Sequence, residues 1–177
     1  MANIRRAELV DLNTCIQVDA SFATDHVWQM EVRDSEEVVS VTFRTVRLPR
    51  PMKVGYPRDT DSLIEDWRKG ECFLVAQQDD AVVGYVDMTV QPWNLTGWVN
   101  NLVVDKAHRR RGIGSALLHA AIRWGQEMHL SKIVTETQTK NYPAISFYQK
   151  NAFSFCGFND RYYVNQDIAL FFVQPLR

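Results

Sequence analysis

The chain has 177 residues, 46% of them hydrophobic and 23% charged, which is the composition of one folded globular domain and excludes disordered and fibrous classes. Its formal net charge is -1 and its pI about 6.4, so it lacks the field with which nucleic-acid binders gather phosphate. Cys15, Cys72 and Cys156 form no CxxC pair and no metal-ligand spacing with the four histidines, and no stretch approaches the ~20 apolar residues of a membrane span.

In chain order, the opening "MANIRRAELVDLNT" has no apolar core of signal-peptide length, so a reduced, cytoplasmic chain with no metal and no membrane or nucleic-acid partner is expected. Residues 3 to 9 read as a strand. Leu12, Cys15, Ile16 and Ala20 then recur near the helical period over 11 to 22, behind Asp11 or Asn13 as a cap. Val, Thr and Phe dominate 26 to 50 around a polar "RDSEE", the pattern of a β-hairpin. Pro49, Pro51, Gly55 and Pro57 mark an irregular connector, followed by a short helix with Thr60 or Asp61 as cap and Gly70 as stop. Between 72 and 104, "CFLVAQ", "AVVGYVDMTVQ" and "WVNNLVV" are separated by Asp79, Asp80 and "WNLTG", which predicts a three-stranded antiparallel meander.

A helix from about 112 to 129 aligns Ile113, Ala116, Leu117, Ala120, Ala121, Trp124 and Met128 on one stripe, to be buried against the sheet. "KIVTET" is a strand and "PAISFYQKN" a helix opened by Pro143. "FSFCGFNDRYYV" and "IALFFVQ" are two closing strands. Without repeats or linkers, the whole is a single α+β domain.

"KAHRRRGIGS" (106 to 115) joins a strand to a helix, and such a turn aims backbone N–H groups and the positive end of a helix dipole at one point. Glycines permit close approach of an anion and arginines add bidentate donors, which suits a pyrophosphate. The Walker pattern fails for want of Gly-Lys-Ser/Thr, and the dinucleotide fingerprint fails at Leu117. Taken alone, "HRRR" is equally a solvated basic turn. Downstream, "NYPAISFYQKNAF" (141 to 153) puts Ala144, Phe147, Tyr148 and Asn151 on one helix side, where Tyr148 is either a packed aromatic or a catalytic one.

Arg109-x-x-Gly112-x-Gly114 after a strand, followed by Asn-x-x-Ala-x-x-Phe-Tyr from Asn141, resembles the GNAT superfamily of acyl-CoA-dependent N-acyltransferases. The resemblance is firm over 72 to 158. It implies a GNAT fold: a mixed, mostly antiparallel sheet of about six to seven strands, helices on both faces, and a splayed central strand pair that binds acyl-CoA. It implies that Leu102, Val103 and Val104 line the pantetheine arm of acetyl-CoA. The pyrophosphate would be held by the turn and helix start: Arg109, Arg110, Arg111, Gly112, Ile113, Gly114 and Ser115. Asn141 would contact the arm, and Tyr148 would bind beside it and protonate the leaving thiolate. A narrower likeness, carried by "TETQTKNYPAISFYQKNAFSFCGFND" and "IALFF", is to streptothricin acetyltransferases. Residues 1–71 would then shape the acceptor site, 72–158 form the acetyl-CoA core and 159–177 close the sheet; the hairpin at 23 to 60 departs from the family's usual pair of helices.

An alkyl amine of pKa ~10.4 must lose a proton before attack. Asn100 and Asn101 stand where many members of the family carry an acid, so Glu136 is the candidate base, acting through water, unless it merely orients the acceptor or is structural. The cysteines lie in none of the motifs, which predicts direct attack by the amine rather than an acyl-enzyme. The ten carboxylates between Asp19 and Asp66, with Trp28 and Trp67, are a solvated surface of which one or two line a cationic pocket. The expected acceptor is a small-molecule amine, such as an aminated antibiotic. Competing readings are a peptide or protein amine, or an acyl-CoA-binding regulatory module without turnover. The last strand could pair with another copy, so a homodimer is an open expectation.

Overall fold

A computed structural model describes residues 2–58, 60 and 62–176. Its elements are β1 (Asn3–Arg6), α1 (Asp11–Gln17), β2 (Phe22–Asp34), β3 (Val39–Val54), α2 (Leu63–Arg68), β4 (Cys72–Gln78), β5 (Ala81–Gln91), β6 (Thr96–Val104), α3 (Ile113–Glu127), β7 (Lys132–Gln138), α4 (Tyr142–Lys150), β8 (Ser154–Asn159) and β9 (Ala169–Pro175). Seven strands form one sheet in the order β1-β4-β5-β6-β7-β9-β8, with β6–β7 the one parallel junction; β2 and β3 pair apart as an antiparallel hairpin. This is the expected mixed, mostly antiparallel α+β architecture.

Alternation along the strands builds a core on each face, because successive side chains of a strand point to opposite sides. On β4, Cys72, Leu74 and Ala76 meet Ile113, Leu117 and Leu118 of α3, while Phe73 and Val75 meet Leu12, Cys15 and Leu63 of α1 and α2. Asp79 and Asp80 both have positive φ, the backbone that a tight β4–β5 reversal needs and that Asp tolerates.

The decisive irregularity lies in β6. Asp87 pairs with Asn101 but Met88 with Val99, so Asn100 is an extra, bulged residue that bends the strand. At that point the pairing with β7 stops: it runs only from Thr96–Lys132 to Val99–Thr135, while β7 continues to Gln138 along β9. The two strands therefore part, and the wedge between them opens beneath α3 and α4.

Several sequence expectations shift. β1 ends at Arg6, because the buried Asp11 carboxylate accepts Glu8 N–H and pairs with Arg5, which closes the chain into a turn, and α1 ends at Gln17, where the backbone of Val18 becomes extended. Neither Asp11 nor Asn13 caps α1, whose N-cap is Val10. α2 starts behind Ser62 without a side-chain cap, the Thr60 carbonyl receiving Leu63 N–H; Asp59 and Asp61 lie outside the described residues. Met128 is 53% exposed because α3 ends at Glu127, one residue before the stripe would bury it. Pro49 and Pro51 do not end the hairpin. Between the pairs Thr24–Met52 and His26–Arg47 the residues of β3 bulge out of the ladder, where a missing N–H costs nothing. Trp28 N–H donates to Thr139 O at 2.8 Å, and Trp28 and Phe43 pack on Phe155, which seats the hairpin beside the wedge. Among the described residues no helix is long and apolar enough to cross a membrane.

Candidate active site

The wedge is the floor of a cavity of about 460 Å³ lined by Leu102, Val103 and Val104 of β6, by Gly112, Gly114 and Ser115 at the start of α3, and by Asn141, Phe147 and Tyr148 of α4. Past Val99 β6 has no ladder to β7, so its backbone groups on that edge are available to an extended ligand. The turn after β6 is capped by Asp105, which accepts Ala107 N–H, and it passes through two left-handed residues, Arg110 (φ 65°) and Gly112 (φ 82°). No side chain caps α3, so its first N–H groups remain free to meet an anion.

The three arginines separate. The Arg109 guanidinium donates to the carbonyls of Val104 (2.9 Å), Ser21 (2.7 Å) and Asp19 (2.8 Å), tying the turn to the segment before β2. Its charge thus braces the loop at the cavity wall, where Arg110, His108 and Lys150 also line the cavity. Arg111 is exposed and outside the cavity lining, and Ile113 is buried in the core at 5% exposure, leaving only its backbone for a ligand. Asn141 caps α4 by accepting Ala144 N–H at 3.1 Å, which fixes its side chain at the cavity wall. Tyr148 is 6% exposed; burial pushes its phenol above the ordinary value, with Thr135 working against that as a hydrogen-bond partner. A tyrosine so placed keeps its proton at neutral pH and holds it as a hydrogen-bond donor at the cavity wall.

A second, smaller cavity of about 60 Å³ shares Tyr56, Leu102, Asn141, Ala144 and Tyr148 with the first, and Glu136 is the one carboxylate among the described residues lining either. Glu136 Oε1 accepts from Arg58 at 2.6 Å and Oε2 from the Tyr162 hydroxyl at 2.6 Å, and its side chain is 2% exposed. A carboxylate committed to two donors is better fitted to orient a cation than to receive a proton from one. Contact with Glu136 also helps push the Tyr162 hydroxyl up to about 12, after burial.

Sequence reasoning did not find Tyr56, Arg58 or Asp87. Tyr56 and Arg58 lie in a connector with no period to read. Asp87 left a signal, a lone acid inside the apolar strand "AVVGYVDMTVQ". It is 2% exposed and burial pushes it up to about 6, against the pull of the Asn101 and Asn100 amides. Cys15 and Cys72, by contrast, are pushed up to about 12 by burial and line neither cavity, which leaves no thiolate at the site. Among the described residues no cluster of three or more His, Cys, Asp or Glu is disposed to hold a metal.

Residues 42–153 match the model of the acetyltransferase (GNAT) family. The chain is 27% identical to a streptothricin acetyltransferase of Streptomyces lavendulae over 164 residues, covering 90% of this chain and 85% of that one. It is 30% identical to a streptothricin acetyltransferase of Escherichia coli over 138 residues, covering 76% and 74%. Among solved structures, that of a nourseothricin acetyltransferase superposes with a TM-score of 0.84 at 25% identity, covering 99% of both chains.

Proposed function

This chain belongs to the acetyltransferase (GNAT) family, and from that premise we propose that it acetylates a cationic small-molecule amine of the streptothricin type by direct attack of the amine on acetyl-CoA. The observation that carries the reading is that two cavities share a wall: one is a groove along the free edge of β6, the other holds a buried carboxylate, and Tyr148 lines both. Likeness to two streptothricin acetyltransferases supports the acceptor class.

Acetyl-CoA supplies an activated acyl thioester and a thiolate leaving group. The residues of this chain do the rest. Leu102 to Val104 would hold the arm by their backbone, and the N–H groups of Gly112 to Ser115 at the start of α3 would take the pyrophosphate with Arg110 beside them. Glu136, fixed by Arg58 and Tyr162, would draw the cationic acceptor into the smaller cavity. Tyr148, with its raised pKa, is protonated when needed and donates to the departing sulfur. With Cys15 and Cys72 buried elsewhere, the amine itself attacks the thioester carbon after its ammonium proton has passed to water, and the C–S bond breaks as Tyr148 protonates the sulfur.

The test is release of CoA thiol with a panel of streptothricin-like lysine-rich amines, polyamines, amino acids and peptides. Turnover is expected with the first group, and Tyr148→Phe should lower kcat by about 100-fold or more while the KM for acetyl-CoA stays near wild type. Binding of acetyl-CoA with no turnover on any amine would instead favour a regulatory module.

A further inference from the structure

Asp87 is buried on the face of α1 and α2, and no residue of the reading above uses it. Because Asn100 is bulged, β6 presents two consecutive asparagines to this one carboxylate: Asn101 directly opposite in register, and Asn100, whose Nδ2 donates to Asp87 Oδ2 at 3.2 Å. Asp87 Oδ1 is buried with no hydrogen-bond partner of good geometry, and Asn101 stands directly across the ladder from it. An ionised carboxylate only accepts, so the amide that faces it must turn its NH₂ inward and its oxygen away. The oxygen of Asn101 is indeed turned away: Oδ1 accepts the Tyr56 hydroxyl at 2.6 Å. That bond uses the one proton of Tyr56, so its oxygen has only lone pairs left. Tyr56 lines both cavities.

We propose that Tyr56 is the residue that receives the reacting nitrogen of the acceptor, offering lone pairs to its N–H, and that Asp87 is the positioning residue that fixes this polarity through Asn101. The assignment rests on the acetyltransfer reading and adds to it a polar contact for the nucleophile itself, as distinct from the more distant cation at Glu136. Protonation of Asp87 would let it donate, free the Asn101 amide to rotate and release the Tyr56 hydroxyl to point either way. The titratable and charged groups around Asp87 are Tyr85 on β5, Cys72 on β4, Cys15 on α1, Asp66 on α2 and Lys69 just after it, and Tyr56 and Arg58 before α2; Asp66 raises its pKa and Arg58 lowers it.

The experiment compares wild type, Tyr56→Phe and Asp87→Asn by CoA thiol release across pH 5 to 8, at varied amine and varied acetyl-CoA, with melting temperatures measured alongside. Tyr56→Phe is expected to lower kcat/KM for the amine roughly 10- to 100-fold with the KM for acetyl-CoA unchanged. The acceptor's own titration contributes one proton to the wild-type pH profile throughout; below about pH 6 the profile should steepen by a second proton, and Asp87→Asn should lose that second slope. Wild-type kcat/KM in Tyr56→Phe, or an unchanged acid limb in a folded Asp87→Asn, overturns the assignment while leaving acetyltransfer intact. Absence of wild-type turnover on every amine overturns the acetyltransfer reading and this assignment with it.

Discussion

Two glycines of the turn and one buried acid illustrate how much a single residue decides. A Cβ at Gly112 would meet nothing within 4 Å, yet φ is +82°, a backbone that L side chains adopt at a cost of about 1–2 kcal/mol. A Cβ at Gly114 would make ordinary contact with Phe147 at 3.4 Å, with an unstrained backbone. Gly112→Ala should therefore lower stability by about 1 kcal/mol and Gly114→Ala change it little, as denaturant titration would read. A charged residue at either, by crowding the amides of α3, should raise the Kd for acetyl-CoA. Asp87 works in the opposite sense. Its folded pKa of about 6 lies above the ordinary 3.8, so between those values the folded chain binds more protons than the unfolded one, and stability falls as pH rises through that window. Above it the ionised form costs of order 3 kcal/mol. Asp87→Asn should accordingly melt above wild type at pH 7, with the gap closing below pH 4, even as its activity declines: a stabilising change at a residue kept for function.

At the level of elements, the site depends on what the turn between β6 and α3 is fastened to. Arg109 reaches three carbonyls, two of them roughly ninety positions away in the chain at Asp19 and Ser21. A guanidinium can span them and an ammonium cannot. Arg109→Lys should leave the sheet intact, raise the Kd for acetyl-CoA and quicken amide exchange in residues 106–112, as calorimetry and hydrogen exchange would detect. The elements themselves were mostly legible. Runs of β-forming residues between turn signals marked β4, β5 and β6, the helical stripe marked α3, and Pro143 with Asn141 marked the start of α4. Ends were less so, because they follow from tertiary contacts: the Arg5–Asp11 pair shortens β1, and the bulge of the hairpin carries two prolines inside β3 that by themselves read as a break.

For the molecule as a whole, the hairpin is a separate two-stranded unit joined to the main sheet by aromatic packing and the bond from Trp28 N–H to Thr139 O. Two strands alone are marginal in water, so the hairpin owes its order to this docking. Trp28→Ala, which removes contacts to Phe43, Phe155 and Phe172, should strip exchange protection from the hairpin while the seven-stranded sheet keeps its own. Because β2 leads back to the carbonyls that Arg109 holds, the same variant should also weaken acetyl-CoA binding.

By itself the sequence determined the class of fold, the order of its elements and the glycine-bearing turn between β6 and α3, since these rest on local rules: runs of β-forming residues between turn signals, a stripe with period 3.6, and the spacing of Arg109, Gly112, Gly114, Asn141 and Tyr148. Only the tertiary structure decided how charges are employed. Arg109 binds carbonyls, Glu136 is held by Arg58 and Tyr162, and Asp87 faces two asparagines across a bulge, because each partner lies on another element and which groups meet depends on register, bulges and the parting of β6 from β7. Hydrogen bonding is a matter of ångströms and direction, and no periodicity in a chain encodes it.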